Sequence, residues 1–391
     1  MKRLPYRPRS RATVKLRCAH LRATRSRPIW TKPRRVWKRF CCKTALFCPA
    51  FSKPSPSLST SRIVAENIPL QGTAFMDEKC CYLAVDGGNS KTEYRLLNAS
   101  GAVIAAHRGG ASNHETLPGG FVGAADVLID AIEGLLDTQG YALSDVADAV
   151  LGLAGADYDE QALALQQSLY DKGLKHSFVC NDGYLGVMAG IENGVGICYS
   201  AGSGVTCTGM NAEGERVQFG GIGVLSGDVG GGFDIAAFVY RSVYQHLFFG
   251  KAYTALKDAY FTLFDVRTPE AFLASAAHLQ NEEAARMLIG LFFTAVETGD
   301  EVALRYTALA ASHAADCIVA VSDALGLKPT VPVALSGSIM TAVAPPAYRR
   351  MIEYELYRRK GKYFVLRVND RPPVDGAVRW VRQRNQLAFG I

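Results

Sequence analysis

Asp182 closes an apolar run, Phe178-Val179-Cys180-Asn181, and is followed at once by Gly183. Asp86 holds the same kind of place in Leu83-Ala84-Val85-Asp86-Gly87-Gly88. A carboxylate at the end of a strand faces the crevice outside an α/β sheet. Two of them on neighbouring strands could divide the labour of phosphoryl transfer, Asp86 holding a magnesium-bound water and Asp182 accepting a hydroxyl proton. For Asp182 alone, capping of the next helix is an equally good reading, because Asp is a favoured N-cap.

Glycine turns tip the balance. Asp86 leads into Gly87-Gly88-Asn89-Ser90-Lys91-Thr92 between two strand-like runs. There the glycines admit positive φ and close backbone approach, and the Ser90 and Thr92 hydroxyls with successive N–H groups can converge on one anion. Ala201-Gly202-Ser203-Gly204-Val205 repeats the pattern, and two facing hairpins could clamp a polyphosphate. A third turn, Leu335-Ser336-Gly337-Ser338, ends another apolar strand, where the missing side chain of Gly337 could admit a nucleobase or ribose. One such turn is weak evidence, since most only join strands. Three in one chain point to a nucleotide.

The loop Gly220 to Gly232 carries seven glycines around Asp228 and also Ile222, Val224 and Leu225, which separates it from a Gly/Ser linker. Gly221 and the other glycines would let backbone reach a ligand, and Asp228 could accept hydrogen bonds from sugar hydroxyls. Ser112-Asn113-His114 after Gly109-Gly110 reads by itself as an Asx turn.

The elements that must position these groups follow from periodicity. Strands are predicted at 81–86, 93–98 and 102–107, then a helix at 119–138, strand 148–153, helix 158–172, strand 176–180 and helix 183–192. A similar order restarts with strands near 195–200, 205–210 and 215–219. Helices follow at about 232–249, 251–264, 269–279, 282–298 and 300–325, then strand 331–336, helix 344–359 and strand 363–368. This is one α/β plan used twice, with Ala-rich helices enlarging the second copy. Thr268-Pro269 reads as a cap with Pro at the first helical position, and Gly326 as a helix stop.

Charge is divided unevenly. Residues 1–75 hold 18 Lys and Arg against the single acid Glu66, while the rest of the chain has 25 basic and 35 acidic residues. An acidic body argues against a broad nucleic-acid footprint, which needs clustered Lys and Arg. The segment 1–75 lacks the periodicity of a core and is expected to stand outside the fold, disordered or non-native, with Met76 as the functional start. A transit peptide is the second reading, and a nucleic-acid-binding arm the third. No apolar run reaches the about 18 residues of a membrane span. Of ten cysteines, Cys80, Cys81, Cys180, Cys198, Cys207 and Cys317 lie in the body without a C-x-x-C pair. Buried reduced thiols in a cytoplasmic protein are the expectation, with no metal ligation.

In order along the chain, these motifs resemble the N-acetylglucosamine kinase and BadF-type ATPase family within the actin, hexokinase and Hsp70-like superfamily. The resemblance spans roughly 81–380, its last segment being Pro372-Pro373-Val374-Asp375-Gly376-Ala377. It implies a two-lobed actin-like ATPase fold (ribonuclease H-like) of class α/β, with a duplicated βββαβα unit. Lobe I is expected at 76–192 with a C-terminal helix at 372–391, and lobe II at 193–371. The implied activity is ATP-dependent phosphorylation of the 6-hydroxyl of an amino sugar, N-acetylglucosamine or glucosamine, with Mg2+. Asp182 is then the general base, Asp86 holds magnesium through water, and Asn113, Asp182, Gly221 and Asp228 meet the sugar. Gly87, Gly88, Asn89, Ser90, Lys91, Thr92, Gly202, Ser203, Gly204, Gly337 and Ser338 meet ATP. A homodimer is also implied. Ile222 and Val229 depart from the family's Trp and from the Glu of G-D-E-G, which leaves the sugar open. Two alternatives are an ATPase that activates a dehydratase or reductase, which needs cluster cysteines, and a non-catalytic sugar sensor.

Overall fold

The computed structural model describes residues 79–387, apart from the side chains of Val224 and Gln280. The basic extension with its Met76 start, and the last residues of the expected helix 372–391, lie outside the described residues.

Two five-stranded sheets carry the same topology. The first runs in the order β3 (Val103–Gly109), β2 (Thr92–Asn98), β1 (Cys81–Gly87), β4 (Val146–Leu153), β5 (Phe178–Cys180). The second runs β10 (Phe364–Val368), β9 (Val331–Ser336), β6 (Gly196–Ala201), β7 (Val205–Met210), β8 (Arg216–Gly220). In each, three antiparallel strands are extended on one side by two parallel ones. The duplicated unit expected from the sequence is therefore present, and each copy aligns the carboxyl ends of its parallel strands along one edge.

The central strands are buried because they are apolar on both faces. Leu83 and Val85 pack against the helix α1 (Gly120–Asp137), while Tyr82 and Ala84 pack against α10 (Pro373–Arg384). Asp148 on β4 fixes α10 by accepting from Arg384 and Asn385. Between them in the chain come α2 (Asp159–Asp171) and α3 (Gly183–Gly190).

Helix α3 is short and glycine-faced. A Cβ on Gly186 would meet Cys198 Sγ at 2.6 Å and one on Gly190 would meet the Ala334 Cβ at 2.6 Å, so these glycines let the second sheet pack directly on the helix. From the other side Gly376 of α10 comes equally close, since its Cβ would meet the Leu185 carbonyl at 2.1 Å.

The second sheet is covered by α4 (Gly232–Phe249), α5 (Ala255–Leu263), α6 (Pro269–Ala274), α7 (Glu282–Glu297), α8 (Glu301–Ala324) and α9 (Pro346–Lys360). Thr268 caps α6 through Ala271 N–H, and Gly326 adopts φ +59 just past α8, as their residue types predict. Two expected helices are shorter than their apolar pattern, and a third, observed at Pro346–Lys360, keeps nearly its expected span. The span 251–264 begins only at Ala255, where Thr254 supplies a cap; 269–279 breaks into α6 and a 3-10 turn; and 344–359 is preceded by a π-turn at 339–343.

Candidate active site

The register of the first sheet puts the candidate carboxylates on one edge. Asp86 pairs with Gly152 of β4, and Gly152 pairs with Cys180 of β5, two residues before Asp182. Burial pushes the Asp86 carboxyl up to about 7, helped by the negative charges of Asp182 and Glu93. Burial likewise lifts Asp182 to about 6, with Asp157 adding to the effect and the nearby N–H groups of Gly183 and Asp182 offsetting part of it. Each carboxylate thus sits where a cation or a proton is welcome.

Asp182 does not cap its helix. Asn181 does: its Oδ1 accepts from Gly183 N–H at 2.8 Å, and its Nδ2 donates to Asp157 Oδ1 at 2.8 Å. Asp182 therefore keeps its carboxylate for other work. Gly183 is required by proximity, since a Cβ there would lie 2.6 Å from Thr208 Cγ2 of β7, and Thr208 Oγ1 donates to the Gly183 carbonyl at 2.9 Å.

The first turn differs from its sequence reading. Neither Gly87 nor Gly88 adopts positive φ. A Cβ on Gly87 would meet Ser112 Oγ at 2.4 Å and Leu153 Cδ2 at 2.5 Å, so this glycine is needed for packing. Thr92 is wholly buried, with its hydroxyl 2.8 Å from the Gly110 carbonyl and 2.9 Å from Ser112 Oγ. Its hydroxyl braces the turn from within. Asn89, Ser90 and Lys91 are the exposed part, and Lys91 pairs with Glu93 at 2.9 Å.

Asn113 forms the Asx turn its sequence suggested, Oδ1 accepting from Glu115 N–H at 2.8 Å, and its Nδ2 donates to Asn89 at 2.6 Å. It is 4% exposed, and its bond to Asn89 uses one of its two amide hydrogens. Gly155, at φ +81, lets the chain after β4 press against the Asn113 amide.

The second turn is open. A Cβ on Gly202 or Gly204 would touch nothing within 4 Å. Behind it stands the amino end of α4, whose Gly232 and Phe233 N–H groups donate to the Gly202 and Ser203 carbonyls at 2.8 and 3.1 Å. The positive end of that helix dipole so points towards the turn. Beside it, Gly337 adopts φ +83, but the space of its missing side chain is filled by Ala201 backbone, the nearest atom at 2.4 Å. The opening expected there for a base is thus closed at Gly337 itself, while Ser338 is exposed.

The glycine loop closes around Asp228. Gly221 and Gly223 N–H groups both donate to Asp228 Oδ2 at 2.9 Å, and Gly220, Gly221 and Gly223 all adopt positive φ to permit it. The other oxygen, Oδ1, is buried and receives no protein donor. Two further residues of this region belong to none of the sequence motifs. Asp157, in the turn after β4, accepts at Oδ1 from Asn181 and, at 3.0 Å, from Gln218 Nε2 on β8. The signal that could have found Asp157 is its place after a buried strand, the same logic that marked Asp86; nothing local marks Gln218.

The thiols of Cys180 and Cys198 are pushed up to about 12 by burial, and both pack in the core. Among the described residues no group of three or more His, Cys, Asp and Glu could hold a metal, and no helix is long and apolar enough to cross a membrane. A cavity of about 750 Å³ opens where β6 and β9 begin, at the end of the second sheet opposite the glycine turns, and does not belong to this site.

The family model of the BadF/BadG/BcrA/BcrD ATPases matches residues 83–378. The chain is 31% identical over 154 residues to an N-acetylmuramic acid/N-acetylglucosamine kinase of Clostridium acetobutylicum, spanning 39% of this chain and half the length of that relative. It is 26% identical over 259 residues to an N-acetyl-D-glucosamine kinase of Dictyostelium discoideum, covering 63% of this chain and 80% of the relative. Its fold is similar to a structure from Chromobacterium violaceum provisionally named as an N-acetylglucosamine kinase (TM-score 0.56, 21% identity, 76% of this chain and 98% of that one). It is also similar to a ROK family glucokinase from Streptomyces griseus in complex with glucose and AMPPNP (TM-score 0.50, 15% identity, 78% and 99%).

Proposed function

The chain belongs to the BadF/BadG/BcrA/BcrD ATPase family, and from that premise we propose that it is an ATP-dependent kinase of the 6-hydroxyl of an amino sugar, N-acetylglucosamine or glucosamine. The observation that carries the reading is the pair Asp86 and Asp182 on one sheet edge, with the helix cap supplied by Asn181 so that the Asp182 carboxylate stays available.

In this reading the substrate hydroxyl lies against Asp182, which accepts its proton as the oxygen attacks the γ-phosphorus and ADP leaves. A base whose conjugate acid titrates near 6 is ionised at neutral pH and still basic enough to share the proton in the transition state. Asp228, with Oδ2 fixed by two backbone N–H groups, presents Oδ1 to sugar hydroxyls. Asn113 and Gly221 complete the sugar's surroundings. The open second turn, whose Gly202 N–H is used on the Gly204 carbonyl, offers the Ser203 and Gly204 N–H groups and the Ser203 hydroxyl to the phosphates, together with the exposed Asn89, Ser90 and Lys91 of the first turn. Gly87, Gly88 and Thr92 hold that first turn in shape, while Gly337 and Ser338 border the nucleoside.

The raised Asp86 carboxyl, with Asp182 and Glu93 as negative neighbours, fits a magnesium ion that would be held mainly by phosphate oxygens and water. When bound, that ion neutralises charge on the phosphates. Residues 76–192 with the C-terminal segment from 372, and residues 193–371, are taken as the lobes that close on the substrates and exclude water. A homodimer and a reducing cytoplasm accompany the reading.

The test is ADP release with magnesium-ATP and a panel of N-acetylglucosamine, glucosamine, N-acetylmannosamine, muramyl sugars and glucose. Strong stimulation by one amino sugar, lost with its 6-deoxy analogue, is the expected result. Hydrolysis indifferent to sugar would replace the kinase with the activator-type ATPase.

A further inference from the structure

Two amides share one carboxylate oxygen, and only one of them is satisfied at its other end. Asp157 Oδ1 accepts from Asn181 Nδ2 at 2.8 Å and from Gln218 Nε2 at 3.0 Å. A carboxylate can only accept, so each amide must turn its NH2 towards Asp157 and its oxygen away. The Asn181 oxygen then finds Gly183 N–H. The Gln218 oxygen is buried and finds no protein donor.

Its place in the fold is beside the candidate site. Gln218 of β8 pairs in register with Thr208 of β7, whose hydroxyl bonds the Gly183 carbonyl beside Asp182. On its other side, Gln218 Nε2 lies 3.6 Å from where a Cβ of Gly221 would stand, in the loop that curls around Asp228. The amide thus sits between the turn of the base and the loop of Asp228, whose Oδ1 is likewise buried without a protein donor.

We infer that Gln218 Oε1 is a specificity-determining acceptor for a hydrogen-bond donor of the sugar, a hydroxyl or an amide N–H, and that Asp157 is the positioning residue that fixes its orientation. The inference rests on the sugar-kinase reading. An acceptor held from behind cannot turn its NH2 to the ligand, so a sugar offering only an acceptor at that position leaves two acceptors facing each other. Through Asn181, the same Asp157 also steadies the turn that carries Asp182.

The test is steady-state kinetics of the full chain and its variants, varying sugar and ATP separately. Gln218→Met keeps size and removes the acceptor. The sugar KM should rise about tenfold, with the ATP KM and kcat within about threefold. Asp157→Ala should raise the sugar KM similarly and lower kcat as well. The double variant should have a sugar KM no higher than Gln218→Met alone, because Asp157 acts on sugar binding through Gln218. Asp157→Asn, whose amide oxygen can still accept from both partners, should recover most of the loss. A loss confined to N-acetylated sugars assigns the donor as the amide N–H, and a loss shared with glucose assigns it as a hydroxyl; either supports the inference. An active wild type whose sugar KM is unchanged in Gln218→Met overturns it and leaves the kinase reading intact. A wild type inactive on every sugar removes that reading and this inference with it.

Discussion

The two glycine hairpins look alike in sequence and are built in opposite ways. At the first, the space beside Gly87 is taken by Ser112 and Leu153, and Thr92 is buried under the turn. At the second, Gly202 and Gly204 face open space, and the turn's carbonyls are held from behind by the amino end of α4 (Gly232–Phe249). One uses glycine to let neighbours in, the other to keep a surface bare. A glycine turn is therefore evidence of close approach, and only the structure says whether protein or ligand makes it.

Breaking that contrast should give effects of very different size. The largest falls on the first turn: Gly87→Ala forces a methyl group into Ser112 and Leu153 and should destabilise the fold by about 3 kcal/mol, read as a lower midpoint in denaturant. Thr92→Val keeps the shape but strands the Gly110 carbonyl and Ser112, at a cost of about 1–2 kcal/mol by the same assay. Gly204→Ala at the second turn should change stability by less than about 0.5 kcal/mol while raising the ATP KM. A fall in stability equal to that of Gly87→Ala would erase the distinction. Ser203→Ala should weaken ATP handling more than sugar binding, and equal effects on both would remove the hydroxyl from the phosphate site.

The pH profile gives the smallest and most specific signal. Asp182 must be ionised to act as base, so kcat/KM should fall as pH drops through about 6. Asp157 is a negative neighbour that raises Asp182. Asp157→Asn should therefore move this acid limb to lower pH while keeping the hydrogen bonds, a shift that a purely structural role would not produce. The same raised carboxyls act on stability with the opposite sign to an ordinary paired Asp. A folded-state value above the unfolded one means that the folded chain binds the proton more tightly, so Asp86 and Asp182 stabilise the fold below about 4 and lose that contribution as pH rises through about 6 to 7. Unfolding midpoints between pH 4 and 8 would show it.

The duplicated sheet was legible because each copy has its own apolar strands, and their order in sequence dictates the shared topology. Asp86, Asp182 and Asp228 were legible because each is a carboxylate beside glycine where a chain must turn. The role of Thr92 was not, because a hydroxyl beside an exposed turn reads the same whether it faces a ligand or Gly110, and only the pairing of β3 (Val103–Gly109) beside β2 (Thr92–Asn98) decides. Asp157 and Gln218 are 61 residues apart, and their hydrogen bond exists only once the two sheets meet. The shortened helices are a case of another kind: Lys251, Ala252 and Tyr253 are exposed ahead of the Thr254 cap, and only that cap and the break after Ala274 mark where the helices begin and end.

The most direct test of the account is turnover by Asp182→Asn beside wild type, with magnesium-ATP and the amino sugar that stimulates ADP release most strongly, and with sugar binding measured separately by calorimetry. The account predicts a fall in kcat of about 10²–10⁴-fold with sugar affinity largely kept. Near-normal turnover in the variant would contradict it.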